Sequence, residues 1–258
     1  MTTNEAMFSL AGQQALVIGG GSGIGQSIAL GLARAGARVH VCGRRQQALD
    51  ATRDLIRQGG QEPGLAVAAD ARDVAGLQGL VDVLRQAAGV PDILVNAQGV
   101  MSLKQAEDFD EADYDRIMDT NVRSVWFAST CFGRAMLERG SGSVISIASL
   151  ASFRGFARNG IYCMSKHAVR AMTETLASEW AGRGVRVNAI APGFFMTDLN
   201  RDSMSPDRKS RALARVPMGR FGELDELQGA AVYLASPAAR YVTGTTLPVD
   251  GGFLAAGM

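Results

Sequence analysis

An apolar run that ends in clustered glycines and passes straight into a helical pattern leaves a chain few folds to choose from. Here Ala15-Leu-Val-Ile18 is followed by Gly-Gly-Gly-Ser-Gly-Ile-Gly25, and residues 24–35 carry Ile28, Leu32 and Ala35 on one side. Strand, tight turn and helix in this order begin a parallel βα unit. The alternation then continues. Strand-like segments fall at 38–42, 65–68, 92–95, 143–148 and 185–190, with helical patterns at 46–58, 74–88, 111–139 and 161–182. The strands are apolar throughout rather than alternating, which predicts a parallel sheet covered on both faces. With 258 residues and no linker or repeat, the chain has room for one such domain, residues 1–258. Residues 200–215 break the pattern, being polar and charged; they are read as part of an insert at about 194–218 that lies over the site.

Composition excludes several classes. A net charge of +1 gives no global pull toward nucleic acid or an anionic membrane. Residues 6–33 carry no charge, but their seven glycines and scattered Gln and Ser argue against a membrane span. The first cation is Arg34, so the start lacks a basic signal-peptide region. Cys42, Cys131 and Cys163 lie far apart, and His40 and His167 are the two histidines. No disulfide framework or metal site is expected, and free thiols fit a cytoplasmic protein.

The glycine turn has the strand before it and the helix after it that a phosphate cradle requires. Gly19 permits the tight turn, Gly23 lets backbone approach a pyrophosphate, and Gly25 lets helix and sheet close up. The helix N-terminus adds free N–H groups. A dinucleotide site that takes NAD usually has an acid at the end of the second strand. No Asp or Glu occurs between Glu5 and Asp50, and that strand ends Cys42-Gly-Arg-Arg45. Guanidinium groups at Arg44 and Arg45 suit a 2′-phosphate, so NADP(H) is favoured over NAD(H). The competing reading, that both arginines only cap a solvated helix, is disfavoured because cations oppose the dipole at a helix start.

Tyr162 and Lys166 stand four residues apart on a predicted helix and so share a face. Ser149 ends the strand Val144-Ile-Ser-Ile-Ala-Ser149, where ligands of parallel sheets collect. A lysine beside a tyrosine would lower the phenol's pKa toward neutrality, making it a proton donor and acceptor. The serine would hold a carbonyl and stabilise an oxyanion.

With these residues in order, the chain resembles the short-chain dehydrogenase/reductase family over nearly its whole length. The motifs are the glycine turn, Asp70, Asn96-Ala-Gln-Gly99, Asn121, Ser149, Tyr162, Lys166, Pro192-Gly193 with Thr197, and Asp250-Gly-Gly252. The resemblance implies a single-domain α/β Rossmann fold, a doubly wound parallel sheet of about seven strands. It implies a catalytic tetrad of Asn121, Ser149, Tyr162 and Lys166, with Asn121 holding a water that links Lys166 to solvent. Cofactor contacts would come from Gly19, Gly21, Ser22, Gly23, Ile24 and Gly25 at the turn. Further along they would come from Arg44, Arg45, Asp70, Ala71, Asn96, Gly99, Tyr162, Lys166, Pro192, Gly193, Phe195 and Thr197. The implied activity interconverts a secondary alcohol and a ketone in a homotetramer built through residues 111–139, 161–182 and the apolar C-terminus.

Two positions depart from the family pattern. Ile18 stands where Thr is usual. Gln98 stands where a small alanine is usual and is expected to close part of the pocket or add a polar contact. Substrate contacts are expected from Gln98, Ser149, Arg154, Tyr162 and Phe194, with Arg154 a fork for a carboxylate. In the insert, Arg201, Arg208, Lys209, Arg211 and Arg215 outnumber Asp202 and Asp207, which either draws an anionic substrate or marks a solvated helix. The sequence looks most like members acting on sugar acids, gluconate 5-dehydrogenases among them. A 3-oxoacyl thioester reductase, a general carbonyl reductase and a non-catalytic NADPH-binding scaffold are the alternatives.

Overall fold

In the computed structural model, which describes residues 3–196 and 206–256, a short helix α1 (Thr3–Phe8) precedes β1 (Gln14–Ile18), the axis of the molecule. It pairs in parallel with β2 (Arg38–Gly43) on one side and β4 (Ile93–Asn96) on the other. Beyond β2 lies β3 (Ala66–Ala68). Beyond β4 come β5 (Gly142–Ile147), β6 (Val185–Pro192) and β7 (Thr246–Val249). The strand order is β3-β2-β1-β4-β5-β6-β7. The order reverses between β1 and β4, and a crevice opens there at the carboxyl ends of the strands. The expected α/β doubly wound sheet is thus present, with β7 added to the six strands that the sequence pattern marks.

Successive side chains of a strand point to opposite faces, so each apolar strand feeds two cores. Val17, Val39, Val41 and Val95 pack on one face with Ile28 and Leu32 of α2 (Gly23–Arg34), Leu49 of α3 (Gln46–Gln58) and Leu234. Leu16, Ile18, Leu94 and Val144 pack on the other. Their partners there are Leu77 and Leu80 of α4 (Val74–Ala87), Phe132 and Trp180. Asp73 caps α4 by accepting the Ala75 N–H at 3.0 Å. His40 is a core residue with a structural task. Its Nδ1 accepts the Leu65 N–H at 3.0 Å and its Nε2 faces Gln14 Oε1 at 2.9 Å. Burial pushes its pKa down to about 4, so the ring is neutral and the two bonds are compatible with one tautomer.

One expectation is corrected. Residues 111–139 are not one regular helix but α5 (Glu111–Met118), a wide π turn at Asp119–Arg123, and α6 (Ser124–Arg139). The cause is local. Asn121, within the turn, is fully buried and spends its amide on the backbone of another segment, accepting the Val100 N–H at 2.8 Å and donating to the Val100 carbonyl at 2.9 Å. Such bulges concentrate at functional sites.

Candidate active site

The crevice is a cleft of about 400 Å³, within the range of small-molecule sites. The glycine turn forms its floor. Gly19 has a φ of 82° and Gly23 a φ of 52°, which disfavour any residue with a side chain. A Cβ on Gly25 would stand 2.2 Å from the Gly19 carbonyl oxygen, so only glycine lets α2 start this close to β1. Gly19, Gly21, Ser22, Gly23, Ile24 and Gly25 all line the cleft. A turn stripped of side chains and followed by a helix N-terminus fits a pyrophosphate.

At one end of the cleft stand Arg44, Arg45, Asp70, Ala71 and Arg72. Arg45 is the first residue of the α3 cap and offers no side-chain hydrogen bond to it. Asp70 pairs with Arg72 in a fork, Nη2 to Oδ2 at 2.6 Å and Nε to both oxygens at 3.1 Å. That pair, and more weakly Arg44, holds the Asp70 carboxyl below its ordinary range.

At the other end, Ser149 lies just beyond β5 in extended backbone, and its Oγ accepts the Ala151 N–H at 3.2 Å. Tyr162 and Lys166 lie in the first two turns of α7 (Gly160–Trp180). All three line the cleft. The Ser149 side chain stands near enough to the Tyr162 phenol to pull its pKa down. Lys166 is 3% exposed, donates to the Ile147 carbonyl at 2.7 Å, and holds its Nζ 5.6 Å from the centroid of the Tyr162 ring. Burial lowers its pKa to about 8. Burial also raises that of Tyr162, against the pull of Ser149. Desolvation is the largest influence on the phenol, and the lysine's own charge is weakened by the same burial.

Asn121 reaches this end indirectly. Its Nδ2 donates to Ser165 Oγ at 3.0 Å, and Ser165 donates to the Tyr162 carbonyl at 2.7 Å. A Cβ on Gly99 would lie 3.5 Å from Asn121 Oδ1 and 3.6 Å from Lys166 Nζ, so a bare glycine keeps the two groups open to each other. The Asn121 side chain is thus occupied in strapping Val100 and Ser165, and any water held at this residue would have to use what remains of its carbonyl oxygens.

Gly99, Pro192, Gly193, Phe195 and Gln98 line the cleft as expected. Asn96 does not. It is buried at the end of β4 and donates to Ser129 at 3.0 Å, with Ser146 at 3.4 Å, which turns it into the layer behind the sheet. Arg154 is exposed and stands outside the cleft lining, so the geometry gives its carboxylate fork no support. Phe194 turns into an aromatic cluster instead, 5.4 Å from Phe253 and 6.3 Å from Phe221. Thr197, with Arg201 and Asp202, lies outside the described residues. Sequence reasoning missed Arg72, Met101, Thr120 and Ser124, which also line the cleft. Thr120 and Ser124 were within reach of it, being one turn apart on either side of Asn121.

Among the described residues no three His, Cys, Asp or Glu side chains gather as a metal site, and no helix is long and apolar enough to cross a membrane.

Comparison with known proteins agrees with this geometry. The family model described as Enoyl-(Acyl carrier protein) reductase matches residues 19–254. The chain is 40% identical to a 2-dehydro-3-deoxy-D-gluconate 5-dehydrogenase of Bacillus subtilis over 248 residues, 96% of each protein. It is 41% identical to a galactitol 2-dehydrogenase (L-tagatose-forming) of Cereibacter sphaeroides, over 96% of this chain and 98% of that one. The crystal structure of a gluconate 5-dehydrogenase from Burkholderia cenocepacia, in complex with NADP and tartrate, superposes with a TM-score of 0.94. It is 34% identical, over 98% of this chain and 99% of that one. With a family match across almost the whole sequence and a cleft that brings serine, tyrosine and lysine to one end, the chain belongs to the short-chain dehydrogenase/reductase family of oxidoreductases acting on CH–OH groups.

Proposed function

We propose that this protein interconverts a secondary alcohol and a ketone of a sugar acid, with NADP(H) preferred over NAD(H). The observation that carries the reading is one cleft with two different ends: Ser149 and Tyr162 beside buried Lys166, and Arg44 with Arg45 where a 2′-phosphate would lie. A bound nicotinamide dinucleotide would supply or accept the hydride.

The residues of the chain do the rest. Ser149 orients the substrate oxygen and donates to it as charge develops. Tyr162 delivers the proton in reduction. A phenol whose pKa burial has raised is fully protonated at neutral pH, which is the form an acid needs. In oxidation the same phenol must lose its proton, and the positive charge of Lys166 favours that step. Asn121 acts as a positioning residue, through Ser165 to the first turn of α7.

The sugar-acid reading is supported by relatives that act on gluconates and by the tartrate held in the Burkholderia structure. The segment 194–218 would cover the substrate. Its helix α8 (Pro206–Leu213) leads to Val216, which packs with Phe253 and Leu150, and Arg215 lies 5.2 Å over the Phe253 ring. Phe253 is thus buried within its own chain rather than held back for a neighbour. A homotetramer would be built through α5, α6 and α7, where Tyr114, Trp126 and Met164 are exposed, together with the C-terminal segment. Light scattering that returns a monomer would remove the assembly.

The deciding experiment is product identification from 5-ketogluconate, acetoacetyl thioesters and cyclic ketones, each with NADPH and with NADH. The expected result is turnover of the keto acid with NADPH. Turnover of the thioester alone would replace the substrate class, and NADPH binding without turnover of any ketone or alcohol would overturn the activity.

A further inference from the structure

A second cleft, of about 740 Å³, opens at the amino ends of β5 and β6, away from Ser149 at the carboxyl ends. That volume is in the range of small-molecule sites. Arg186, the second residue of β6, lies in it half-buried. Its guanidinium donates to the carbonyls of Leu234 at 2.7 Å and Ala235 at 3.2 Å, the last two residues of α9 (Gln228–Ala235). Capping a helix in this way offsets only about half a charge. Arg240 and the fully exposed Tyr241 line the same cleft, and a tyrosine hydroxyl can donate to an oxyanion. Among the described residues, neither Arg186 nor Arg240 pairs with a carboxylate. Asp92, the acid of the lining, is already engaged. It meets Arg139 at 3.2 Å and accepts the Gln14 N–H at 2.8 Å. Once Asp92 and Arg139 cancel, the two positive charges of Arg186 and Arg240 are left.

We infer that this cleft binds a small oxyanion with at least two negative charges, a phosphate or a polycarboxylate, held by Arg186 and Arg240. A planar guanidinium presents paired N–H donors to such an ion. Because Arg186 is half-buried, water and salt screen its charge less than they would on the surface. β5 carries the chain from Ser143 in this cleft toward Ser149 in the other, about 20 Å at the rise of a strand. An anion bound here therefore competes with neither cofactor nor substrate.

The test is calorimetric titration of inorganic phosphate and of citrate into the NADPH-saturated protein at constant ionic strength, so that the phosphate cradle of the first cleft is filled. The wild type is expected to bind at least one of the two saturably, and the tighter of them tells a phosphate ligand from a carboxylate one. Arg240→Ala, at an exposed position, is expected to weaken that binding at least about fivefold while kcat and KM stay within about twofold. Arg186→Lys keeps the charge but loses the fork, and is expected to weaken it about threefold. Failure of both anions to bind saturably, or binding that Arg240→Ala leaves unchanged, would overturn the inference.

Discussion

The two ends of the cleft both present positive charge, and they use it in opposite ways. Arg44, Arg45 and Arg72 stand in solvent, where water and salt screen each one. Holding a phosphate there takes several cations because each contributes little, and none pays much to be charged. Lys166 is alone and buried, and its charge is costly enough that its pKa falls to about 8. One desolvated cation can bias a proton on a neighbour; a group of hydrated ones can bind an anion. Recognition is spread over exposed groups, and chemistry is concentrated in a buried one.

The sharpest break would come at the buried end. Tyr162→Phe removes the proton donor and keeps the ring. Turnover is expected to fall at least about 10³-fold, within the range for loss of acid–base catalysis, while NADPH affinity stays within about twofold. Substantial retained activity measured against wild type would show that the two ends do not divide binding and chemistry.

Lys166→Met tests the cost of burial directly. The folded pKa is depressed from 10.5 to about 8, so between those values the unfolded state binds more protons and stability rises with pH. At pH 7 the lysine is charged in both states and the penalty is fully present. Each pK unit is about 1.36 kcal/mol, and the Ile147 carbonyl loses its donor on substitution, so a gain of about 1–3 kcal/mol is expected at pH 7. Activity should drop about 10²-fold or more. Denaturant titration at pH 7 and pH 10 checks the sign. A variant that is less stable at pH 7 would mean that Lys166 belongs to the structure as well as to the reaction.

Much of this contrast was legible from neighbouring residues. The glycine turn, the strand ends and the four-residue spacing of Tyr162 and Lys166 are local patterns, and local geometry fixes their meaning. What could not be read depends on segments far apart in the chain. Asn96 was expected beside the cofactor, yet Ser129, thirty-three residues away, takes its amide. The π turn at Asn121 is invisible in a helical pattern because its cause is the backbone of Val100. Arg154 followed the right chemistry but lies on an exposed turn. Arg72 was passed over because a charge two residues from another on a loop has no meaning until both are seen facing one cleft.

At the exposed end the effects are smaller. Arg44→Ala should weaken NADPH about tenfold at low salt and less at 0.5 M, with the turnover number at saturating cofactor unchanged. A salt-independent loss would make Arg44 a packing residue and blur the contrast.

Gln98 lies between the two ends and should show the smallest effect. Its Nε2 donates to Ser124 Oγ at 3.0 Å, and Ser124 in turn donates to the Thr120 carbonyl at 2.6 Å. With the serine proton committed to Thr120, the amide nitrogen is locked onto Ser124, and Oε1 is left buried without a partner in the chain. Gln98→Leu keeps the bulk, gives up one neutral hydrogen bond worth about 1 kcal/mol, and removes an unsatisfied acceptor that costs a similar amount. The two nearly cancel, so the melting temperature of the cofactor-free protein should move by less than about 4 °C. The side chain also lines the cleft, so NADPH affinity should fall by about threefold if the amide meets the ligand. A melting temperature lowered by 10 °C would make Gln98 a structural strut of the cleft wall, belonging to neither end.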